Sequence, residues 1–268
     1  RRLAAAAGPE PGARPGPPAS AKLMAQQAAE TVVAAYRAGV TRQSVRLRLD
    51  MVCPPERLRD SGMEALLQDS MPMVKFFTER LALPGGAAMK DVRVSRFDAE
   101  GLASGDVGHL LYRVSEEPMQ DAAVVFLGSR NFAVEPSTTQ FLAGMQTRLV
   151  VMLNSEDAAS QFRVENEGQE FVWGGRNDIP ALRTFCKTFE EETYYYRLKI
   201  VNDWPTVVFR AYPHPWEVYI EALDGQVVKL RESETKPATD QTIIPWMTEY
   251  EEANGITLAD KRRKLREG

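Results

Sequence analysis

The chain has 268 residues, of which 44% are hydrophobic and 26% charged, and its formal net charge is −4. These proportions are those of a globular protein with enough apolar residues for a sizeable core. The slightly acidic balance argues against a general affinity for nucleic acid or for anionic membranes. No apolar run approaches the ~20 residues that a membrane-spanning helix needs, so any membrane association is expected to be peripheral.

The first twenty residues are rich in Ala, Arg, Gly and Pro and contain a single acid, Glu10. A basic, acid-poor composition is typical of organelle targeting segments, and a disordered extension of another origin would look the same. We therefore predict an extended, Pro/Gly-rich arm over residues 1–20. Ala21–Gly39 then places apolar residues at helical spacing, which predicts a first helix that Gly39 ends.

The next elements alternate between strands and helices. Ser44–Val52 alternates apolar and charged residues, which predicts a strand before the breaker at Cys53-Pro54-Pro55. Met63–Leu83 predicts a second helix, kinked or restarted at Pro72. Four further strands are predicted, at Asp91–Phe97, Gly108–Val114, Ala122–Leu127 and Leu149–Leu153. The stretches between and after them predict a loop and helix in Ser129–Thr147, a long loop over Ser155–Asn177 and a helix over Ile179–Glu191.

The last third of the chain is predicted to be a cluster of short strands followed by a helix over Asp240–Asn254. Its strands are Tyr194–Val201, Thr206–Tyr212, Trp216–Leu223 and Gln226–Arg231. Asp224-Gly225 is a good hairpin signal between the last two. The whole pattern predicts an α/β fold, a Rossmann-like three-layer open sheet of mixed direction with an antiparallel C-terminal strand cluster. That cluster either extends the main sheet or packs beside it. We expect one domain over residues 21–258 and a basic tail over 259–268.

Residues with catalytic or ligand-binding chemistry are sparse. No glycine-rich nucleotide fingerprint follows a predicted strand. Gly128, Ser129 and Arg130 precede a predicted helix and are a weak candidate anion site, although an ordinary turn would have the same residues. His109 and His214 lack metal-ligand spacing, as do the two cysteines. The sequence therefore predicts no catalytic residue, no metal and no cofactor.

Two segments are candidates for interaction. The first is rich in aromatic residues and arginine, a combination found at binding hot spots and on base-stacking surfaces, and also in ordinary cross-strand packing. Its candidate residues are Tyr194, Tyr196, Arg210, Tyr212, His214 and Trp216. The second is the basic run Lys261, Arg262, Arg263 and Lys264, which suits anionic lipid, RNA or an acidic protein face, or is a solvated terminus.

Several of these segments carry a family resemblance. The matching stretches are Ala34-Ala35, Gly39-Val40-Thr41-Arg42, Leu149–Asn154, Tyr194–Leu198, Arg210-Ala211-Tyr212-Pro213 and Pro215-Trp216-Glu217-Val218. Together they resemble a plastid and cyanobacterial domain-of-unknown-function family that includes the low photosystem II accumulation type of assembly factor. The chain departs from the family pattern where Asn154 is followed by Ser155 instead of proline. The family has no assigned catalytic residues, so the resemblance transfers none.

The resemblance implies a function and a location. It implies a non-catalytic plastid protein, in the stroma or at the stromal face of the thylakoid, that binds subunits of a photosystem or of another thylakoid complex as an assembly factor or auxiliary subunit. Two alternatives stay open at this stage. One is a nucleotide- or anion-dependent enzyme on the Rossmann-like sheet, and the other is a plastid RNA-binding protein.

Overall fold

The computed structural model describes residues 15–48, 51–52, 69–81, 148–154, 189 and 191–261, and the backbone alone of residues 91–97, 109–117 and 120–127. We label its main helices α1 (Ala21–Arg37), α2 (residues 69–79) and α3 (Ile244–Ala253), the last preceded by a π-helical turn at Thr239–Ile243. The strands are β1 (Arg42–Arg46), β2 (Asp91–Phe97), β3 (His109–Glu117), β4 (Gln120–Leu127), β5 (Leu149–Leu153), β6 (Glu192–Val201), β7 (Trp204–Ala211), β8 (Trp216–Glu221) and β9 (Val227–Ser233).

The nine described strands form one sheet in the order β2-β3-β4-β5-β1-β6-β7-β8-β9. The central strands β4, β5, β1 and β6 are parallel, and the pairs on either side of them are antiparallel. The predicted fold class, an open mixed α/β sheet with antiparallel C-terminal strands, is confirmed. Because β6 pairs with β1, the C-terminal strands extend the main sheet and do not form a separate meander.

Helices cover both faces of this sheet. On the first face, α1 and α2 pack against β1, β5, β6 and β7 through a core that includes Met24, Phe77 and Phe209. On the second face, α3 covers the C-terminal strands, where Met247 packs with Val218. The first half of β6, Glu192–Tyr196, is therefore buried on both faces, as expected for a central strand between two layers of helices.

The first helix begins and ends where the sequence predicts. The Oγ of Ser20 accepts a hydrogen bond from the amide of Leu23, which is an N-cap contact. At the other end, Gly39 has a φ of 93°, a left-handed conformation that glycine adopts without steric cost. The buried side chain of Gln43 then bonds the carbonyl of Val32 in α1, which fixes the helix to the first strand.

The first strand is shorter than predicted. Its ladder ends at Arg46, so the prediction of a strand as far as Val52 is wrong in its second half. The reason lies 107 residues away in the chain, at Asn154, which follows β5 with a φ of 50°. Its side-chain amide donates to the carbonyl of Leu47 (2.7 Å) and accepts from the amide of the same residue (2.9 Å). The side chain of Asn154 therefore replaces the next backbone hydrogen bonds between β1 and β5.

Several predictions lie outside the described residues. These are residues 1–14 of the arm, the first six residues of the second helix, the loop and helix of Ser129–Thr147, the loop over Ser155–Asn177, most of the helix over Ile179–Glu191, and residues 262–268 of the basic tail. In the described part of the chain, no helix is long and apolar enough to cross a membrane.

Candidate functional site

The three consecutive tyrosines of β6 point alternately to the two faces of the sheet, as strand geometry requires. Tyr194 is fully buried under α1, and its hydroxyl donates to the side-chain oxygen of Gln27 (2.9 Å). Burial raises its pKa well above the ordinary value, and the neighbouring Tyr196 adds to the effect. Tyr196 is also buried on this face. Both predicted interaction residues are thus core residues, with their aromatic rings packed inside the domain. Only Tyr195 points to the opposite face.

Tyr195 forms the base of what we call the cation–aromatic cluster, which consists of Arg46, Tyr195, Arg210, Trp216 and Lys236. The rings of Tyr195 and Trp216 are 5.1 Å apart in an edge-to-face arrangement, and both are almost completely buried. The Nζ of Lys236 lies 4.3 Å from the centre of the Tyr195 ring and 5.4 Å from that of Trp216. Cations at such distances are attracted by the negative face of an aromatic ring.

The two arginines complete the cluster from neighbouring strands. The guanidinium of Arg210, on β7, lies 5.4 Å from the Trp216 ring, and that of Arg46, on β1, lies 5.5 Å from the Tyr195 ring. These side chains meet because β1, β6, β7 and β8 are adjacent and each contributes a residue from the same face of the sheet, the face on which α3 packs. The segment between β9 and α3 supplies Lys236.

Two carboxylates hold the cations in place. Glu191 accepts from Arg210 at 2.7 Å, and Glu192 accepts from Lys236 at 2.9 Å. Arg210 also donates to the backbone carbonyl of Glu192 at 3.0 Å. The buried Nε of Arg210 has no acceptor among the described residues.

The turn between β7 and β8 borders the cluster. Tyr212 and His214 are half-buried there and Pro213 is exposed. The Tyr212–Pro213 peptide bond is cis. The amide of Tyr212 donates to the carbonyl of Thr193 and that of His214 to the carbonyl of Ala211, so the turn is fixed against β6 and β7. Of the predicted aromatic and arginine candidates, the structure brings Arg210 and Trp216 into contact, and Tyr212 and His214 lie in the turn that connects their strands.

The basic tail does not begin as predicted. Lys261 is only 6% exposed, and its Nζ donates to Glu251 at 2.8 Å and to the carbonyl of Asn202 at 3.4 Å. The indole of Trp204 donates to the same Glu251 oxygen at 2.6 Å. Lys261 thus attaches the segment that follows α3 to the β6–β7 turn. Arg262, Arg263 and Lys264, like Gly128, Ser129 and Arg130 of the weak anion site, lie outside the described residues.

Sequence reasoning missed the other members of the site, Arg46, Glu191, Glu192, Tyr195 and Lys236. A signal existed for Tyr195, because in a strand it must face away from Tyr194 and Tyr196. No local signal could have joined Lys236 to the cluster, since it is 41 positions from Tyr195 in the sequence. Within the described parts of the chain, no group of three or more metal-ligating side chains occurs.

The fold and this surface define an open-sheet α/β protein whose aromatic and cationic side chains converge at one end of the sheet. The comparison with protein families gives a more specific result. The chain belongs to the family described as Domain of unknown function (DUF1995), whose model matches residues 18–242. The matched range includes every residue of the cation–aromatic cluster. No curated protein matches the chain. No solved structure matches it either.

Proposed function

We propose that this protein is a non-catalytic plastid protein that binds a subunit of a thylakoid complex, in the first place a photosystem subunit, from the stromal side. The cation–aromatic cluster is the surface that we assign to this contact. Two kinds of support carry the proposal. The motif resemblance to the low photosystem II accumulation type of assembly factor supplies the partner and the compartment, and the geometry of the cluster supplies the surface.

The single observation that carries the binding role is the position of Lys236. Its side chain is 34% exposed while it lies above two buried aromatic rings. A cation held in this way has already lost much of its conformational freedom, so a partner carboxylate could bind it at a smaller entropic cost. Arg, Trp and Tyr are the residues most enriched at protein-binding hot spots. We therefore expect an acidic side chain of the partner to contact Lys236 and the rim of the β7–β8 turn.

The same geometry disfavours the RNA alternative at this surface. Base stacking needs open aromatic faces. Tyr195 and Trp216 are almost completely buried, and cationic side chains lie against their rings. A nucleotide base would have to displace those cations before it could stack. An acidic protein side chain would approach Lys236 from solvent beside Glu192 and leave the rings covered.

A capture experiment tests the proposal. The immobilised chain is incubated with detergent-solubilised thylakoid complexes, and the retained photosystem subunits are quantified by immunoblot. Lys236→Gln removes the charge and keeps a polar side chain that is one atom shorter. Its matched control is Lys75→Gln, because Lys75 lies on α2, on the other face of the sheet, and is 63% exposed.

We expect the native chain and Lys75→Gln to retain the same photosystem subunits. Lys236→Gln should retain roughly 5- to 30-fold less, which corresponds to the ~1–2 kcal/mol typical of an interface residue of this kind. Circular dichroism of each variant checks that the fold is intact. Retention of no photosystem subunit by the native chain would refute the partner. Equal retention by both variants would refute the surface.

A further inference from the structure

A second surface of interest lies on the opposite face of the sheet, where the described part of the N-terminal arm packs against the domain. This part, residues 15–20, reads Pro-Gly-Pro-Pro-Ala-Ser and leads directly into α1. Pro18 is buried, and the three residues before it are half-buried. A segment of this composition has few backbone donors and a stiff chain, so it is recognised mainly through its carbonyl groups and its ring surfaces.

The domain supplies donors to two alternate carbonyls of the arm. The side-chain amide of Gln27, on α1, donates to the carbonyl of Gly16 at 3.0 Å. The hydroxyl of Tyr196, on β6, donates to the carbonyl of Pro18 in a longer contact of 3.4 Å. The spacing of two residues between the bonded carbonyls leaves Pro17 between them. The two donors come from different elements, and we call the surface of α1 and β6 that holds the arm the groove.

The donors are themselves held in position. Tyr194 donates to the side-chain oxygen of Gln27, which turns the amide nitrogen of Gln27 towards the arm. Arg48 donates to the hydroxyl of Tyr196 at 3.4 Å, and its guanidinium lies 5.7 Å from the centre of the same ring. The orientation of both arm-binding groups is thus fixed by contacts that do not involve the arm.

A third tyrosine borders the groove. The hydroxyl of Tyr219, on β8, lies 3.9 Å from the position that a side-chain carbon on Gly16 would occupy. Tyr219 in turn donates to the buried carboxylate of Glu217 at 2.7 Å. Aromatic walls combined with side-chain donors to carbonyls are the features by which grooves in other proteins bind proline-rich peptides.

We propose that this groove is a binding site for a proline-rich peptide segment, that residues 15–18 of the chain fill it in the structure, and that a proline-rich segment of a partner protein exchanges with them. The intramolecular segment is present at a high effective concentration because it is attached to α1 by two residues. A partner segment therefore binds weakly while the arm is docked and more tightly once it is displaced. This surface is separate from the cation–aromatic cluster, since the two lie on opposite faces of the sheet.

The experiment uses the full chain and a fluorescein-labelled peptide with the sequence of residues 11–20. Pro18→Arg places a cation in a buried position close to Arg48 and should expel the arm without altering the groove. Ala19→Arg is the matched control, because it adds the same charge to the same arm at a position that is exposed. Fluorescence anisotropy measures binding, and the melting temperature with excess peptide gives an independent measure.

We expect Pro18→Arg to bind the peptide at least about tenfold more tightly than the native chain or Ala19→Arg, because only Pro18→Arg removes the competing segment. In the Pro18→Arg background, Gln27→Leu should weaken binding at least about fivefold, since it removes the donor to the Gly16 carbonyl. Gln26→Leu should not, because the side chain of Gln26, which is half-buried, bonds Glu30 on the same helix and no other group of the described residues.

The outcomes that would overturn the proposal are specific. One is equal peptide binding by Pro18→Arg and Ala19→Arg. Another is equal binding after Gln27→Leu and Gln26→Leu. If Pro18→Arg fails to fold, the milder Pro18→Ala takes its place, with an increase of a fewfold expected and no increase overturning the site. A peptide with alanine at each proline should bind none of the variants, and its binding would show that the groove does not recognise proline.

Discussion

The side chain of Asn154 extends the pairing of β5 with β1, and the isosteric change Asn154→Asp tests this role. In the native chain the side chain donates to one backbone group of Leu47 and accepts from another. At neutral pH the aspartate keeps the accepting contact, but it places a charged oxygen where the donor was, 2.7 Å from a carbonyl. One lost hydrogen bond and one part-buried carbonyl without its donor amount to about 2 kcal/mol of unfolding free energy. With a urea m-value of about 3 kcal/mol per M, the midpoint would fall by about 0.7 M.

The effect of this substitution should depend on pH. The protonated carboxyl of Asp can donate to the carbonyl of Leu47, whereas the ionised form cannot, so folding raises the pKa of the new side chain above its unfolded value of about 3.9. A raised folded pKa means that stability is fully present below the unfolded pKa and is lost as pH rises through the folded one. Relative to the native chain, the variant should therefore be about 2 kcal/mol less stable at pH 7 and less affected near pH 4.

A matched control is available at the β6–β7 turn. Asn202 also has a left-handed backbone, with a φ of 48°, but it is exposed and its side chain makes no hydrogen bond within the described residues. Asn202→Asp should change the unfolding free energy by less than about 0.5 kcal/mol. Urea unfolding followed by circular dichroism, at pH 7 and near pH 4, measures both variants. Equal effects of the two substitutions, or a deficit of Asn154→Asp that grows on acidification, would refute the role assigned to Asn154.

Three further experiments test the core and the contacts of Lys261. Lys261→Met should lower the unfolding free energy by about 1–3 kcal/mol, because it leaves the partly buried Glu251 with one donor fewer; thermal unfolding measures this. Tyr194→Phe should make the loss of stability above pH 10 shallower, because the raised pKa of the buried tyrosine gives stability that is lost as pH rises above the unfolded value; urea unfolding at pH 8 and pH 11 compares the slopes. Gln43→Leu should cost about 3 kcal/mol and Thr193→Val about 1 kcal/mol, with a double variant less affected than their sum, because the two side chains bond each other at 2.9 Å.

Much of the fold could be predicted from local sequence patterns. The limits of α1 and β5 and the existence of the C-terminal strands follow from hydrophobic periods and turn residues, which depend only on near neighbours. The hairpin at Asp224-Gly225 is such a case, because Gly225 has a φ of 85° and Asp224 accepts from the amide of Gln226. The predicted ends of these elements lie within two residues of the observed ends.

The candidate site could be predicted only in part. Arg210 and Trp216 were identified because aromatic residues and arginine are concentrated in a short segment. Tyr194 and Tyr196 belong to the same segment, but they are buried under α1, which the strand pattern alone could not show. Lys261 resembled a solvated charge because nothing in the sequence near Lys261 or Glu251 indicates that the two side chains pair. In each case the sequence shows the chemistry of a side chain but not what covers it.

By itself, the sequence determined the types of the elements, the mixed α/β class and the family resemblance. The tertiary structure decided that β1 lies between β5 and β6, which follow it in the chain by more than a hundred residues. The neighbours of Arg46 depend on this strand order. The tertiary structure also decided that Lys236 lies over Tyr195 and that the proline-rich arm lies in a groove lined by Gln27 and Tyr196. The physical reason is that periodicity reflects the contacts of a residue with water or core, whereas strand order and side-chain clusters depend on the packing of all the layers together.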